Sequence, residues 1–90
     1  MKHGVVPRAM LNLTYFAEHA LTLQDRPIET EQATHIVRHD PAGVVVIITP
    51  WNSPLMLATW KLGPALAMGN TVVIKPAPQD PLAIVRLGEI

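Results

Sequence analysis

Gly43-Val44-Val45-Val46-Ile47-Ile48-Thr49 runs into Pro50-Trp51-Asn52, and Thr71-Val72-Val73-Ile74-Lys75 runs into Pro76-Ala77. Each β-branched run lacks the apolar/polar alternation of a half-solvated strand, so each reads as a short strand buried on both faces. A buried helix is the competing reading of Val44 to Thr49, but Gly43 and Pro50 bracket a segment too short and too β-branched for it. Between the runs lies a helix-length stretch. Polar chemistry appears at Thr49 to Asn52 and at Lys75 to Ala77, where two parallel strands stop, and this is how the nucleotide-binding edge of a βαβ unit is built.

The intervening segment opens with Asn52-Ser53-Pro54, where Asn52 or Ser53 caps a helix whose first position suits Pro54. Leu55, Leu57, Ala58, Leu62, Ala65 and Leu66 give this helix a broad apolar surface, Pro64 removes one backbone hydrogen bond near its end, and Met68-Gly69-Asn70 stops it. The distance from Thr49 to Thr71 leaves room for a right-handed crossover, so the strand pair is expected to be parallel. Asp80-Pro81 then starts a further amphipathic helix through Leu82, Ile84, Val85 and Leu87.

Upstream, Ala9, Met10, Leu13, Phe16, Ala17, Ala20 and Leu21 recur at helical spacing, with Asn12 off the stripe, which predicts an amphipathic helix from Pro7 to about Leu23. Ile28 to His39 mixes β-branched and polar residues in rough alternation and reads as one solvated extended strand. Asp40-Pro41-Ala42-Gly43 is a turn. The expected organisation is therefore residues 1–40 as a helix with an extended strand, and residues 41–90 as a partial βαβα unit.

Composition narrows the function. Ninety residues, 49% of them hydrophobic, hold at most one domain, so a module or a portion of a larger enzyme is expected. Seven basic and seven acidic side chains balance, which argues against a nucleic-acid surface or an anionic membrane surface. There is no cysteine, hence no thiolate nucleophile or thiolate ligand within these residues. No apolar run approaches the roughly 20 residues of a membrane-spanning helix, and no signal-type segment opens the chain, so a cytoplasmic protein is expected. The histidines form no metal motif: His35 and His39 are about 13 Å apart on a strand rising about 3.3 Å per residue. Glycine spacing fits neither the G-x-G-x-x-G dinucleotide fingerprint nor a phosphate-binding P-loop.

Three residues at the strand ends have two readings each. Lys75 either reaches up from the sheet edge to ribose hydroxyls or a phosphate, or snorkels into solvent. Asn52 either donates its amide to an oxyanion or caps the helix that begins at Pro54. Trp51 either walls a cofactor cleft or packs into the core.

Pro41-x-Gly43-Val44-Val45, Ile48-Thr49-Pro50-Trp51-Asn52-x-Pro54-Leu55, Trp60-Lys61-x-x-Pro64-Ala65-Leu66-Ala67-x-Gly69-Asn70-Thr71-Val72-Val73 and Lys75-Pro76 together resemble the aldehyde dehydrogenase superfamily. The resemblance covers residues 41–90 closely and the upstream helix and oligomerisation-type strand more loosely. It implies an α/β fold with a partial Rossmann-like unit and NAD- or NADP-dependent oxidation of an aldehyde to a carboxylic acid. The implied route passes through a thiohemiacetal, hydride transfer to nicotinamide and hydrolysis of a thioester. By matching positions, Asn52 is the oxyanion donor, Ile48, Thr49, Pro50 and Trp51 line the cofactor cleft, and Lys75, with Pro76 and Ala77 behind it, binds the adenosine ribose. The full-length enzyme is expected to be a homo-oligomer.

The family's cysteine nucleophile, its general-base glutamate and its glycine-rich nicotinamide loop fall downstream of these residues, so the ninety residues alone are expected to be inactive. Pro78 stands where the family often carries a glutamate on the ribose hydroxyls, so NADP is expected to be tolerated beside NAD. Asn52-Ser53-Pro54-Leu55-Met56-Leu57 is similar to members acting on muconic-type semialdehydes. The alternative to an enzyme portion is a non-catalytic interaction module that persists by docking its apolar surfaces onto a partner.

Overall fold

A computed structural model describes residues 4–90. The chain forms helix α1 (Val5–Thr22), strands β1 (Pro27–Glu29), β2 (Thr34–Ile36) and β3 (Val44–Ile48), helix α2 (Pro54–Ala67), strand β4 (Thr71–Lys75) and helix α3 (Leu82–Glu89). β3 and β4 pair in parallel from Val44 opposite Thr71 to Ile48 opposite Lys75, with α2 as the crossover. This is the βαβα unit read from the two β-branched runs.

The stop of α2 is a Schellman cap. The Asn70 N–H donates to Ala65 O at 3.1 Å and the Gly69 N–H to Leu66 O at 2.9 Å, with Gly69 at φ 84°, a conformation a side chain would strain. Asn70 also ties this end to the start of β3, since its Nδ2 donates to Ala65 O at 3.0 Å while its Oδ1 accepts the Gly43 N–H at 3.0 Å. One side chain thus fixes where the helix ends and where both strands begin. At the last helix the cap falls one residue later than expected: Pro81 occupies it, while the Asp80 N–H closes a turn onto Ala77 O at 3.3 Å.

α1 and α2 lie side by side and run in the same direction. Asn12 reaches Thr59, Phe16 sits against Gly63, and Ala20 and Leu23 share a groove with Pro64 and Ala67, so sequence advances together along both helices. Because α2 starts from the carboxyl end of β3, the first turn of α1 is brought to that same edge. The contact corrects the sequence reading of Asn12, which is buried: its Nδ2 donates to Thr59 Oγ1 at 3.2 Å and Met56 O at 3.4 Å. Met10 and Leu21, assigned to the apolar stripe, are 64% and 86% exposed instead. The inward face follows Ala9, Asn12, Leu13, Phe16 and Ala20, a helical period that tolerates a polar member because its hydrogen bonds are met.

Two further expectations are corrected. The segment read as one strand over Ile28 to His39 is an antiparallel hairpin, Pro27 opposite Ile36 and Glu29 opposite Thr34. Its turn is held by Thr30, whose N–H donates to Ala33 O at 2.8 Å and whose hydroxyl accepts the Ala33 N–H at 3.2 Å. The base is closed by Asp25, which accepts the His39 N–H at 3.3 Å and lies 3.1 Å from His39 Nδ1. The strands β3 and β4 are not buried on both faces either. Ile47 is 2% exposed toward the helices, whereas Val44, Val46, Ile48 and Val73 are 56–69% exposed on the other face. α2 lies against both strands on one side of the sheet, and the other side is uncovered among the described residues, so only every second strand residue finds a partner. The ninety-residue chain on its own should therefore bind a hydrophobic dye and self-associate; a sharp cooperative melt of a dye-free monomer would contradict this.

Candidate functional site at the carboxyl edge of the sheet

The two strands end level. Ile48 and Lys75 are register partners, and beyond them the Thr49 N–H donates to Lys75 O at 3.2 Å, so the loops after β3 and β4 leave from one point. Cross-strand partners share a face. Ile48 and Lys75 therefore both stand on the open face of the sheet, and Thr49 turns the other way.

After Thr49 the chain passes through Pro50, Trp51 and Asn52 and enters α2 through Ser53, which holds a left-handed conformation at φ 52°, ψ 51°. A non-glycine residue there costs about 1 kcal/mol or more, and such strain tends to persist where the loop geometry matters. The Leu57 N–H donates to Ser53 O at 3.0 Å to begin the helix, and Pro54 fills the first position, where a missing N–H costs nothing. No side chain caps α2. Of the two readings of Asn52, capping is thus not the one realised, and its amide is exposed beside the strand end. Trp51 is 63% exposed, so it packs into no core formed by the described residues.

Lys75 is exposed, and its Nζ donates to Pro76 O at 3.2 Å; it forms no ion pair with a carboxylate among the described residues. Two ammonium hydrogens remain free for a ligand. Pro76 and Ala77 are packed rather than presented: Ala77 is 9% exposed, and Pro76 lines an apolar groove with Leu62, Ile74 and Ile84. Thr49 is 3% exposed and its hydroxyl has no hydrogen-bond partner among the described residues. A buried hydroxyl without a partner costs about 1–3 kcal/mol, and it had no signature in the sequence. Among the described residues no three His, Asp or Glu side chains converge as metal ligands, and no helix is long and apolar enough to cross a membrane.

The sequence matches the Aldehyde dehydrogenase family over residues 1–90. The chain belongs to the aldehyde dehydrogenase family. Human retinaldehyde dehydrogenase 3 is 48% identical over 79 residues, covering 87% of this chain and 15% of that protein. The 2-hydroxymuconic semialdehyde dehydrogenase of Pseudomonas sp. (strain CF600) is 41% identical over 93 residues, covering 98% of this chain and 19% of that protein. Among solved structures, glyceraldehyde-3-phosphate dehydrogenase GapN from Methanocaldococcus jannaschii, complexed with NADP, superposes with a TM-score of 0.86 at 32% identity over 94% of this chain and 19% of that chain. The chain thus spans between 15% and 19% of the length of these aldehyde dehydrogenases. The α/β fold with a parallel, Rossmann-like unit agrees with this membership.

Proposed function

We propose that these residues form the cofactor-domain portion of an aldehyde dehydrogenase that oxidises an aldehyde, with semialdehydes among the candidates, to a carboxylic acid using NAD or NADP. The supporting observation is the level ending of β3 and β4, which puts the exposed Asn52 loop and the ion-pair-free Lys75 at one edge of the sheet. Residues 41–90 carry that edge. Residues 1–40 supply the helix that braces it and a hairpin whose exposed Ile28, Ile36 and Val37 suit a homo-oligomer contact. A cytoplasmic setting goes with this reading.

The residues present fit a dinucleotide. Lys75 has free donors for ribose hydroxyls, Ile48 beside it and the exposed indole of Trp51 offer apolar walls, and Thr49 and Pro50 carry the backbone between them. Pro76 and Ala77 hold Lys75 in place from below through their packing. Pro78 leaves no carboxylate at its position to repel a 2′-phosphate, so both cofactors are accommodated. When bound, the cofactor supplies a hydride acceptor. Asn52 donates from its side-chain amide to the aldehyde oxygen as negative charge gathers on it. With no cysteine among them, the ninety residues do not turn over aldehyde by themselves.

The test is reduced-nicotinamide formation by the complete enzyme with an aldehyde and either cofactor. Lys75→Ala should raise the cofactor KM about 10-fold, the scale of one or two hydrogen bonds to a charged group, with a smaller effect on the aldehyde KM. An unaltered cofactor KM removes Lys75 from the site, and absence of aldehyde-dependent reduction by the complete enzyme defeats the function.

A further inference from the structure

The segment that carries Asn52 is tied only at its ends. The Thr49 N–H is fixed on Lys75 O and the Leu57 N–H on Ser53 O. Between them, the N–H groups of Trp51 and Asn52 and the carbonyls of Pro50, Trp51 and Asn52 make no backbone hydrogen bond among the described residues. At the root of this loop the Thr49 hydroxyl is buried on the helix side of the strand end and is unpaired among the described residues. A group that must meet a developing charge has to be held to within about 0.5 Å, so a slack loop is a poor mount for it. Thr49-Pro50-Trp51-Asn52 is also a turn-forming sequence. Proline suits the second position of a type I turn, and a threonine hydroxyl at the first accepts the N–H two residues on. In the structure that turn stands open, with no bond from the Asn52 N–H to Thr49 O.

We propose that Thr49 is a positioning residue whose hydroxyl closes the Thr49–Asn52 turn by accepting the Trp51 N–H, so that the closed turn holds the Asn52 amide in place. The inference rests on the aldehyde-oxidising function above and adds the device that aims its oxyanion donor. The open turn is the ligand-free arrangement. A ligand seated against Ile48 and the exposed Trp51 takes water away from the loop, and the Trp51 N–H then finds its replacement partner in the hydroxyl at the loop's root. Ligand binding therefore favours the closed turn. The hydroxyl itself is buried and touches neither aldehyde nor cofactor; it acts through Asn52.

The experiment uses the complete enzyme, with Thr49→Val to replace the hydroxyl by a methyl group and Thr49→Ser to keep it. Thr49→Val should lower kcat about 10-fold, the scale of one hydrogen bond, and leave the cofactor KM within about 2-fold. Thr49→Ser should recover most of that loss. In an Asn52→Ala background Thr49→Val should cost nothing further, because the two residues act as one unit. Hydrogen exchange gives a readout without turnover: NAD or NADP should slow exchange of the Trp51 amide in the native enzyme and not in Thr49→Val. The urea midpoint of ligand-free Thr49→Val should equal or exceed the native one, since the open turn leaves the hydroxyl no bond to lose. A lowered midpoint shows that the hydroxyl is paired elsewhere and overturns the proposal. So does an undiminished loss of kcat in the Asn52→Ala background, or a Trp51 amide in the native enzyme whose exchange ignores the cofactor. If no aldehyde is oxidised yet slowing of the Trp51 amide by NAD or NADP depends on Thr49, the aldehyde-oxidising function fails and the turn stands.

Discussion

Asn52→Ala is expected to lower kcat of the complete enzyme by about 10²- to 10³-fold, the usual loss when one oxyanion donor is removed, while its folding stability stays within about 0.5 kcal/mol. The two halves of that expectation come from separate observations. The proposed donor role comes from the position of Asn52 at the strand-end edge, and the small stability effect comes from α2 beginning without a side-chain cap. Had Asn52 been the cap, its loss would have cost about 1 kcal/mol and spared turnover. Asn52→Asp sharpens the test, because the same shape with a negative charge repels the developing oxyanion, so activity should be no better than in the alanine variant. Full turnover in Asn52→Ala with a weakened fold would reverse the assignment.

Gly63→Val is expected to destabilise the protein by about 3 kcal/mol. Helix propensity alone points the other way for small residues, since glycine in a helix interior costs about 1 kcal/mol relative to alanine. The contact with α1 decides the sign. A Cβ at Gly63 would lie 2.8 Å from Phe16 Cδ2 and 3.3 Å from Phe16 Cβ, closer than packed carbons tolerate. Overpacking of this kind costs about 1–3 kcal/mol, and the two γ-methyls of valine carry the collision further while their branching is poorly suited to a helix. Gly63→Ala should lose about 1 kcal/mol, the remainder after its gain in propensity. Urea midpoints of the two variants, each alone and combined with Phe16→Ala, measure the coupling. If Phe16→Ala fails to relieve Gly63→Val, the close approach is not the cause.

The legible parts of the fold had local causes. The β-branched run between Gly43 and Pro50 became β3 and the run before Pro76 became β4, Pro54 opened α2, and Gly69-Asn70 ended it, because backbone sterics and orphan helix donors and acceptors act within a few residues. The proposed site was legible for the same reason: Asn52 and Lys75 are marked by the strand ends they follow. The hairpin was not, since its turn is closed by the Thr30 hydroxyl with no glycine, proline or asparagine to announce it. Nor was the open face of the sheet, because an apolar run records a capacity for burial and says nothing of which layers are there to provide it.

The sequence by itself determined the order of elements outside the hairpin, the parallel crossover and the family, all of which rest on short-range chemistry and on motifs contiguous in the chain. Tertiary structure alone decided that Asn12 is a buried tie to Thr59, that a side chain at Gly63 would collide with Phe16 and that Asn52 is not a cap. These depend on how α1 lies along α2, a contact between residues more than forty positions apart. Packing of that range is chosen by the fit of whole helix surfaces, and no local pattern encodes it.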